Sequence, residues 1–431
     1  MPNTHQPNIL FCLFDSLSMA DSGLTTEANE LPTLSNLCQT SALFTRTYTP
    51  CPESSPARAS LFTGLDPGVH GLWTNGVTLP STEQTFAQRL LSAGYSNALV
   101  GRYQLSGVSR WTTEKFRHSE FTHTEWAHGP IHRSRQNHYI SWLEKTAPEH
   151  YSDLFPMQAN PDETLLADEQ IACLERLPNE FSFNAWVGDR LGHWISRQPR
   201  SKPFLAVASF CVGSNFGAEP IERSDGENVH QPAMNQADSA IGKLLEQLNE
   251  SDQTEDTVVI IASARGNSVP NDDTSVMKER SIKVPLLIHQ PSQQKLTINN
   301  PISTIDIAPT VLELANTPIS PRMQGQSLLH VINGQREPRN WALSRYRNHT
   351  KNAHNHWQSA LCSESMKFVV RHNEQVEQHA LGLYNLDIDP LEKNNLAQNR
   401  SHAEDLELMI DQMIDARCAM EDRTEPRIAE F

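Results

Sequence analysis

Short apolar segments alternate with amphipathic segments along most of the chain, and this alternation constrains the fold more than any other feature of the sequence. The clearest apolar segments are residues 8–14, 96–100, 204–210 and 257–262. Segments with the apolar spacing of helices separate them, at residues 85–93, 184–198 and 237–249. A strand without a polar face is typical of a parallel sheet that helices cover on both sides. We therefore predict an α/β fold with a doubly wound, mostly parallel sheet flanked by helices.

The first apolar segment ends directly before Asp15. Because ligand sites in doubly wound sheets lie at the carboxyl ends of the strands, Asp15 is a candidate site residue. Residues 110–155 are rich in His, Trp and Arg but weakly periodic, so we predict long loops there, over the edge of the sheet. The histidines in this segment lack clean metal-ligand spacing, which favours exposed or hydrogen-bonded side chains.

A chain of 431 residues is too long for one small core and predicts two unequal domains. We place the main domain at residues 1–334 and a smaller C-terminal α+β domain at residues 335–431. The net charge of −16 argues against nucleic acid or a membrane as a partner, because anionic phosphates would be repelled. A small anionic molecule would need a local basic pocket.

The seven cysteines are scattered and form no CxxC pair or zinc-type spacing. This pattern predicts free structural thiols in a reducing compartment. The N-terminal residues show no basic segment followed by a small-residue cleavage site, and the first apolar segment is too short to cross a bilayer. We therefore expect a cytoplasmic protein.

Residues 54–64 read Ser-Ser-Pro-Ala-Arg-Ala-Ser-Leu-Phe-Thr-Gly. This segment resembles the signature of the formylglycine-dependent (type I) sulfatases of the alkaline phosphatase superfamily, in which Cys or Ser precedes x-Pro-x-Arg-x-x-Leu-x-Thr-Gly. Other segments resemble the family in its order along nearly the whole chain, including PNILFCLFD, LPTLSNL, SAGYSNALVG, TVVIIAS, KVPLLI and TIDIAPTVLELA. Near the end, LYNLDIDPLEKNNLA is similar to the small-domain signature of choline-sulfatase-like and phosphonate-monoester-hydrolase-like members. The resemblance implies the sulfatase fold.

The resemblance also implies that Ser54 replaces the residue that is oxidised to formylglycine, whose hydrate is the family's nucleophile at a helix N-terminus. It further implies a divalent cation, usually calcium, held by oxygen ligands after two strands. Of these ligands Asp15 is kept, followed by Ser16, whereas Ala264 and Arg265 stand where the family has Asp and His. A methyl group cannot coordinate a metal, and a guanidinium is a permanent cation.

The family's acid–base positions are substituted as well. Arg102 and Gln104 replace the Lys and His of a Gly-Lys-x-His motif, and Ser214 or a neighbour stands where another His is expected. Thr274 aligns with a second family Lys. Three nearby residues remain as possible compensations: Asp272, Asp273 and Lys278.

The candidate site residues fall into three groups. The catalytic candidates are Ser54, Arg58 and Arg102. The substrate-binding candidates are His70, Asn75, Gln104 and Arg265. The metal candidate is Asp15, in a site that the substitutions predict to be non-functional.

Two interpretations of the cations stay open. In the first, Arg265 and Asp15 form an internal ion pair that fills the vacated metal site. In the second, Arg58, Arg102 and Arg265 form an anion-binding pocket without hydrolysis. Both predict that no metal cofactor is needed, and the alternative is Ca²⁺ or Mg²⁺.

These substitutions predict a catalytically impaired sulfatase homologue, or pseudoenzyme, that binds an anion or assembles with a partner. The partner would be a second copy of the chain or an active paralogue. One alternative is an active hydrolase of sulfate, phosphate or phosphonate esters that uses Ser54 or formylglycine made from it. Another is an enzyme of a different reaction class that reuses the pocket without a metal.

Overall fold

A computed structural model of the chain describes residues 6–25, 31–108, 113–114, 120–132, 134–155, 173–174, 176–212, 231–267, 276–347, 357–372 and 380–421. These residues form a large mixed sheet with helices on both faces and a small antiparallel sheet toward the C-terminus. The predicted α/β class with a smaller C-terminal α+β part is therefore confirmed. No helix within these ranges is both long and apolar enough to cross a membrane.

The described part of the main sheet has nine strands: β1 (Asn8–Phe14), β2 (Ala42–Tyr48), β3 (Ser96–Gly101), β4 (His123–Trp126), β5 (Phe204–Phe210), β6 (Thr257–Ser263), β7 (Lys283–His289), β8 (Leu296–Ile298) and β9 (Ile302–Ser303). Their order is β4-β3-β5-β1-β6-β7-β2-β8, and β9 also pairs with β2. β1 is parallel to both neighbours, β5 and β6. β7 is antiparallel to both β6 and β2. The sheet is thus mostly parallel, with one reversed strand.

Helices cover this sheet and the small one: α1 (Pro32–Cys38), α2 (Ser54–Thr63), α3 (Pro67–His70), α4 (Phe86–Ser92), α5 (His138–Thr146), α6 (Pro148–Leu154), α7 (Phe183–Ile195), α8 (Gln231–Glu250), α9 (Glu279–Ile282), α10 (Ile307–Leu314), α11 (Leu329–Ile332) and α12 (Ala403–Ala419). β1 illustrates how the sheet divides the core. Leu10 and Phe14 belong to the core beneath α7 and α8. Ile9 and Phe11 belong to the core beneath α2, α4 and α10. Both faces of β1 are buried, which explains its continuous apolar sequence.

The small sheet contains β10 (Ala342–Arg347), β11 (Trp357–Cys362), β12 (Met366–Arg371) and β13 (Ala380–Asn385), paired antiparallel in chain order. α12 packs on it through Met409, Met413 and Ala416. The small sheet begins at Ala342, and the domain boundary that we place near residue 335 stays a prediction.

A buried ion cluster joins the two sheets. The side chain of Lys367 on β12 is fully buried, and its Nζ lies 3.2 Å from Glu279 Oε1 and 2.8 Å from Glu392 Oε1. Glu279 begins α9 in the main part of the chain. Burial alone would lower the pKa of Lys367, but the two carboxylates outweigh it and raise that pKa. Lys283 on β7 also approaches Glu279, at 3.6 Å, so Lys367 is the fully buried cation of a cluster with two carboxylates.

The prediction of long loops over residues 110–155 is wrong in part, since this segment contains β4, α5 and α6. The Asn137 side chain caps α5 by accepting the Ile140 N–H at 3.5 Å, and Pro148 opens α6 in the first helical turn. β4 has only four residues, too few to show an alternating pattern. Apolar periodicity therefore does not reveal these short, locally capped elements in the sequence.

Candidate functional site

The ends of four parallel strands bring the candidate residues to one edge of the main sheet. Asp15, Arg102, Cys211 and Ala264 directly follow β1, β3, β5 and β6. The Asp15 N–H donates to Phe210 O at 3.1 Å and the Ala264 N–H to Phe14 O at 3.0 Å, so the backbone pairing continues to this edge. β2 ends at the same edge because two antiparallel pairings relate it to β6. α2 therefore starts here.

Ser54 is the first residue of α2 and is only 7% exposed. Its Oγ accepts a hydrogen bond from Arg265 Nε at 2.9 Å. The Ser55 N–H donates to Asn75 Oδ1 at 2.9 Å, so Asn75 satisfies one of the free amides at the start of the helix. The helix N-terminus presents Ser54 at its positive end, where an anion is favoured.

Asp15 is surrounded by groups that stabilise its ionised form. Its Oδ1 accepts the Val212 N–H at 3.0 Å, and its Oδ2 lies 3.3 Å from the donor Cys211 Sγ and 3.5 Å from Arg102 Nη1. Burial alone would raise the pKa of Asp15, but the charge of Arg102, the Val212 amide and the charges of Arg58 and Arg265 together lower it.

This arrangement differs from the expected ion pair between Arg265 and Asp15. The ion-pair contact to Asp15 comes from Arg102, while Arg265 donates to Ser54 Oγ and, through Nη1, to Gly266 O at 3.0 Å. Arg265 still acts on Asp15 through its charge. The guanidinium of Arg265 thus reaches across the strand end to the start of α2.

Arg58 lies inside the molecule with no exposed surface. Its Nη1 donates to Arg102 O at 2.9 Å and its Nη2 to Ser209 Oγ at 3.2 Å. Burial and the positive charge of Arg102 lower the pKa of Arg58 to about 10. Arg58 remains a cation at neutral pH, held close to a second cation.

Arg102 connects β3 to the segment that follows β4. Its Nε donates to His128 O, and a Cβ added at Gly129 would lie 3.0 Å from its Nη2. Glycine at position 129 therefore leaves room for the guanidinium.

Gln104 has a left-handed backbone with φ of 62°. Its N–H donates to Glu114 Oε2 at 2.7 Å, and the Ser106 N–H and Trp126 Nε1 also donate to Glu114, each at 3.2 Å. Burial raises the pKa of Glu114 despite these donors. A non-glycine residue with positive φ is uncommon and is found at functional sites more often than elsewhere.

His70 lies beneath α2 and not beside Ser54. Its Nδ1 accepts the Leu72 N–H at 3.1 Å, and its Nε2 lies 2.9 Å from Ser60 Oγ. Burial lowers the pKa of His70 to about 3. Both ring nitrogens are engaged within the protein, so this geometry gives His70 a packing role.

The described residues do not fit a divalent cation at the family's metal position. Asp15 is paired with a guanidinium, Ser16 Oγ donates to Gly266 O at 3.0 Å, and Ala264 offers a buried methyl group. Nowhere in the described ranges do three or more His, Cys, Asp or Glu side chains converge to hold a metal ion. Four residues considered above lie outside these ranges: Ser214, Asp272, Asp273 and Thr274.

Three further residues belong to the site although the sequence does not predict them there: Ser209, Cys211 and Glu114. Cys211 could have been found from its place directly after a strand, next to the predicted site edge. Glu114 lies in the segment predicted as loops, where no pattern marked it. Its role depends on the backbone amides that the fold brings to its carboxylate.

Two family models match the chain. The model described as Sulfatase covers residues 7–317. The model described as N-sulphoglucosamine sulphohydrolase, C-terminal, covers residues 272–419.

Two curated relatives illustrate the range of similarity. The ulvan-active sulfatase of Formosa agariphila is 28% identical over 345 residues, which cover 76% of this chain and 65% of that protein. The choline-sulfatase of Rhizobium meliloti is 25% identical over 449 residues, which cover 92% of this chain and 83% of that protein. The chain thus spans just under two thirds of the first relative and most of the second.

Among solved structures, the phosphonate monoester hydrolase of Agrobacterium radiobacter superposes with a TM-score of 0.77 at 18% identity, covering 97% of each chain. A second structure, of a protein in complex with its substrate D-glucosamine-2-N,6-O-disulfate, gives a TM-score of 0.70 at 16% identity. These likenesses establish the fold over nearly the whole chain.

Proposed function

Since this chain belongs to the sulfatase family, we propose that it binds an anionic ester through arginine side chains in place of a divalent cation and hydrolyses such esters poorly or not at all. The protein would then be a pseudoenzyme of the family. The observation that carries the proposal is the contact between Arg265 Nε and Ser54 Oγ. A side-chain cation stands beside the nucleophile position, where the family resemblance implies a metal ion.

The partner of Ser54 also bears on its reactivity. A guanidinium only donates hydrogen bonds and is not deprotonated in proteins, so Arg265 cannot take the proton from Ser54. An alcohol needs a base, a lowered pKa or a metal to become a useful nucleophile. Loss of one transition-state donor typically lowers turnover about a hundredfold to a thousandfold, so several substitutions together predict very slow hydrolysis.

A second candidate function is an active hydrolase of sulfate, phosphate or phosphonate esters. The contact between Arg265 and Ser54 supports this second function as well, because a donor cation beside Ser54 stabilises the ionised alcohol. Formylglycine made from Ser54 would provide a different nucleophile. Mass spectrometry of the peptide that contains Ser54 distinguishes serine from formylglycine directly.

We also propose a cytoplasmic location and assembly with a second copy or an active paralogue. The location is supported by the seven cysteines, all of which carry free thiols. Assembly is supported by the surface of α12, where Leu408 and Ile414 are 56% and 55% exposed. Size-exclusion chromatography with light scattering tests the oligomeric state.

The proposed function is tested with 4-nitrophenyl sulfate and a 4-nitrophenyl phosphonate monoester, with and without calcium. We expect negligible turnover, unchanged in Ser54→Ala, and no stoichiometric calcium or magnesium by elemental analysis. Ready turnover that Ser54→Ala abolishes would favour the active hydrolase. One tightly bound equivalent of calcium would contradict the arginine-for-metal proposal.

A restoration variant sharpens this test. Ala264→Asp combined with Arg265→Asn returns two oxygen ligands to the strand end beside Asp15. We expect calcium to raise the melting temperature of this variant and to leave that of the parent unchanged. Equal calcium responses of the two proteins would contradict the assignment of this strand end.

A further inference from the structure

A cavity of about 380 Å³ lies at the edge of the main sheet opposite to Ser54 and Asp15. Val259 of β6 and His289 of β7 are register partners, and both line this cavity. From Val259, β6 runs on to Ser263 at the edge that holds the candidate site, which is about 13 Å at ~3.3 Å for each residue. The cavity is therefore separate from the arginines of that site.

Helices α1 and α8 form two walls of the cavity, and contacts within the chain fix their spacing. The Asp238 carboxylate of α8 accepts two backbone N–H groups at the start of α1, at 2.8 Å and 3.1 Å. A Cβ added at Gly242 of α8 would lie 3.0 Å from Thr33 Oγ1, so the helices are in close contact there. His289 Nδ1 donates to Thr40 O at 2.7 Å and ties the end of β7 to the segment after α1. The cavity is thus built into the fold, as ligand sites usually are.

The lining of the cavity is mostly apolar. It is formed by the side chains of Leu37, Leu245, Leu248 and Val259, together with threonine, asparagine and histidine side chains. Among the described residues that line it, none is Asp, Glu, Lys or Arg. An ionised ligand would lose hydration here without an opposite charge in return. The lining therefore favours a neutral ligand with an apolar body.

One ring nitrogen of His289 is available to a ligand. A carbonyl oxygen only accepts hydrogen bonds, so the contact with Thr40 O places the proton of a neutral ring on Nδ1. Nε2 is then an acceptor, and it makes no hydrogen bond with the residues that the structure describes. His289 is partly exposed, so a molecule in the cavity can reach it. A ligand that satisfies Nε2 must donate a hydrogen bond, as a hydroxyl group does.

We propose that the cavity binds a neutral ring compound with one hydroxyl group, such as a phenol. Its O–H donates to His289 Nε2, and its ring packs on the apolar side chains of α1, α8 and β6. Small-molecule sites typically have volumes of about 300–1,000 Å³, and a cavity of about 380 Å³ suits a molecule with a single ring. This site is distinct from the proposed anion site and does not rest on it.

The test compares 4-fluorophenol with 4-fluoroanisole by fluorine NMR titration of the full chain at about pH 8, where imidazole rings are generally neutral. The two neutral probes share the ring and the fluorine reporter, but only the phenol has an O–H donor. We expect the phenol to bind at least about fivefold more tightly, because the ether cannot donate to Nε2. Its extra methyl group makes the ether more apolar, so apolar burial alone predicts the opposite order.

Equal or tighter binding of 4-fluoroanisole would overturn the hydrogen bond to His289 and the ligand class that follows from it. Absence of saturable binding for both probes would overturn the site itself. Neither probe is an anion, so both outcomes leave the proposed anion binding unaffected.

Three variants locate the probes. His289→Phe keeps an aromatic ring without the acceptor and should bring the two affinities within about twofold of each other. Asn36→Trp, at an exposed position that lines the cavity, places a large ring in it and should weaken both probes at least about fivefold. Asn333→Trp, the same change at an exposed position outside the cavity, is the matched control and should bind like the parent. Parent-like binding by Asn36→Trp would show that the probes lie elsewhere, and this comparison decides the inference even where His289→Phe does not fold.

Discussion

The junction of the two sheets and the edge of the main sheet both bury cations, but they balance them in opposite ways. At the junction, the fully buried Lys367 faces two carboxylates within 3.2 Å, and Lys283 approaches one of them, Glu279, at 3.6 Å. At the edge, the guanidinium of Arg58 donates to the backbone oxygen of Arg102 and is repelled by the charge of Arg102, and the ion pair of Asp15 is with Arg102 at 3.5 Å. The pKa of Lys367 is raised, while that of Arg58 is lowered by burial and by the neighbouring Arg102.

The difference separates a cluster whose charges are balanced within the chain from the site at which we propose anion binding. The carboxylates raise the pKa of Lys367 more than burial lowers it. The charge of this lysine is therefore balanced by groups of the chain itself. Arg58 is destabilised by its surroundings, and an anion between the guanidiniums would relieve that repulsion. Removing a charge should therefore harm the junction more than the edge.

Lys367→Met should give the largest effect. It leaves the buried Glu392 without its cation and Glu279 with only the partly exposed Lys283, and deleting one partner of a buried pair typically costs about 3–5 kcal/mol of unfolding free energy. Denaturant unfolding measures the change. Lys243→Met is the control, because Lys243 makes a solvent-exposed pair with Asp189, and it should change stability by less than about 1 kcal/mol. Similar losses in the two variants would show that the junction is not a buried cluster.

Arg102→Met should destabilise the protein less, by about 1–3 kcal/mol. It removes the ion pair of Asp15 but also relieves the repulsion on Arg58. Adding Asp15→Asn to Arg102→Met should recover part of the loss, since the unpaired charge is then gone. A double-mutant cycle by denaturant unfolding measures this coupling. Purely additive losses would mean that Arg102 and Asp15 do not interact.

The smallest effect concerns His70 and the pH dependence of stability. Because its pKa in the folded protein is about 3, the unfolded chain binds the proton first as the pH falls. The stability that this histidine contributes is complete above about pH 6.5 and declines toward about pH 3, by about 1.4 kcal/mol for each pH unit.

His70→Gln should flatten this slope between about pH 6.5 and pH 5 in a series of urea titrations. His193→Gln, on the exposed side of α7, is the matched control and should keep the slope of the parent. An unchanged slope in His70→Gln would contradict the burial of a neutral ring.

The strands and the position of Ser54 could be predicted from local sequence because each depends on a local property. β1 and β5 have the predicted bounds, and α2 starts at the residue that the signature marks. Which residues a long side chain contacts is not determined by the local sequence. Sequence placed Arg102 and Arg265 at two strand ends, but their contacts with Asp15 and Ser54 depend on the neighbouring strands and on α2.

The guanidinium beside Ser54 determines whether the affinity of the site for an anion depends on the concentration of free metal ions. A dissociable cation and an anion that share a site affect each other's affinity by the same factor, so anion binding follows the concentration of free metal. Arg265 is covalently attached one residue beyond Ala264, and its presence at Ser54 does not depend on any concentration outside the chain. Chelators and swings in cellular calcium or magnesium should then leave the affinity for the anion unchanged. In the proposed function, the substitution makes the binding of the anion independent of metal supply.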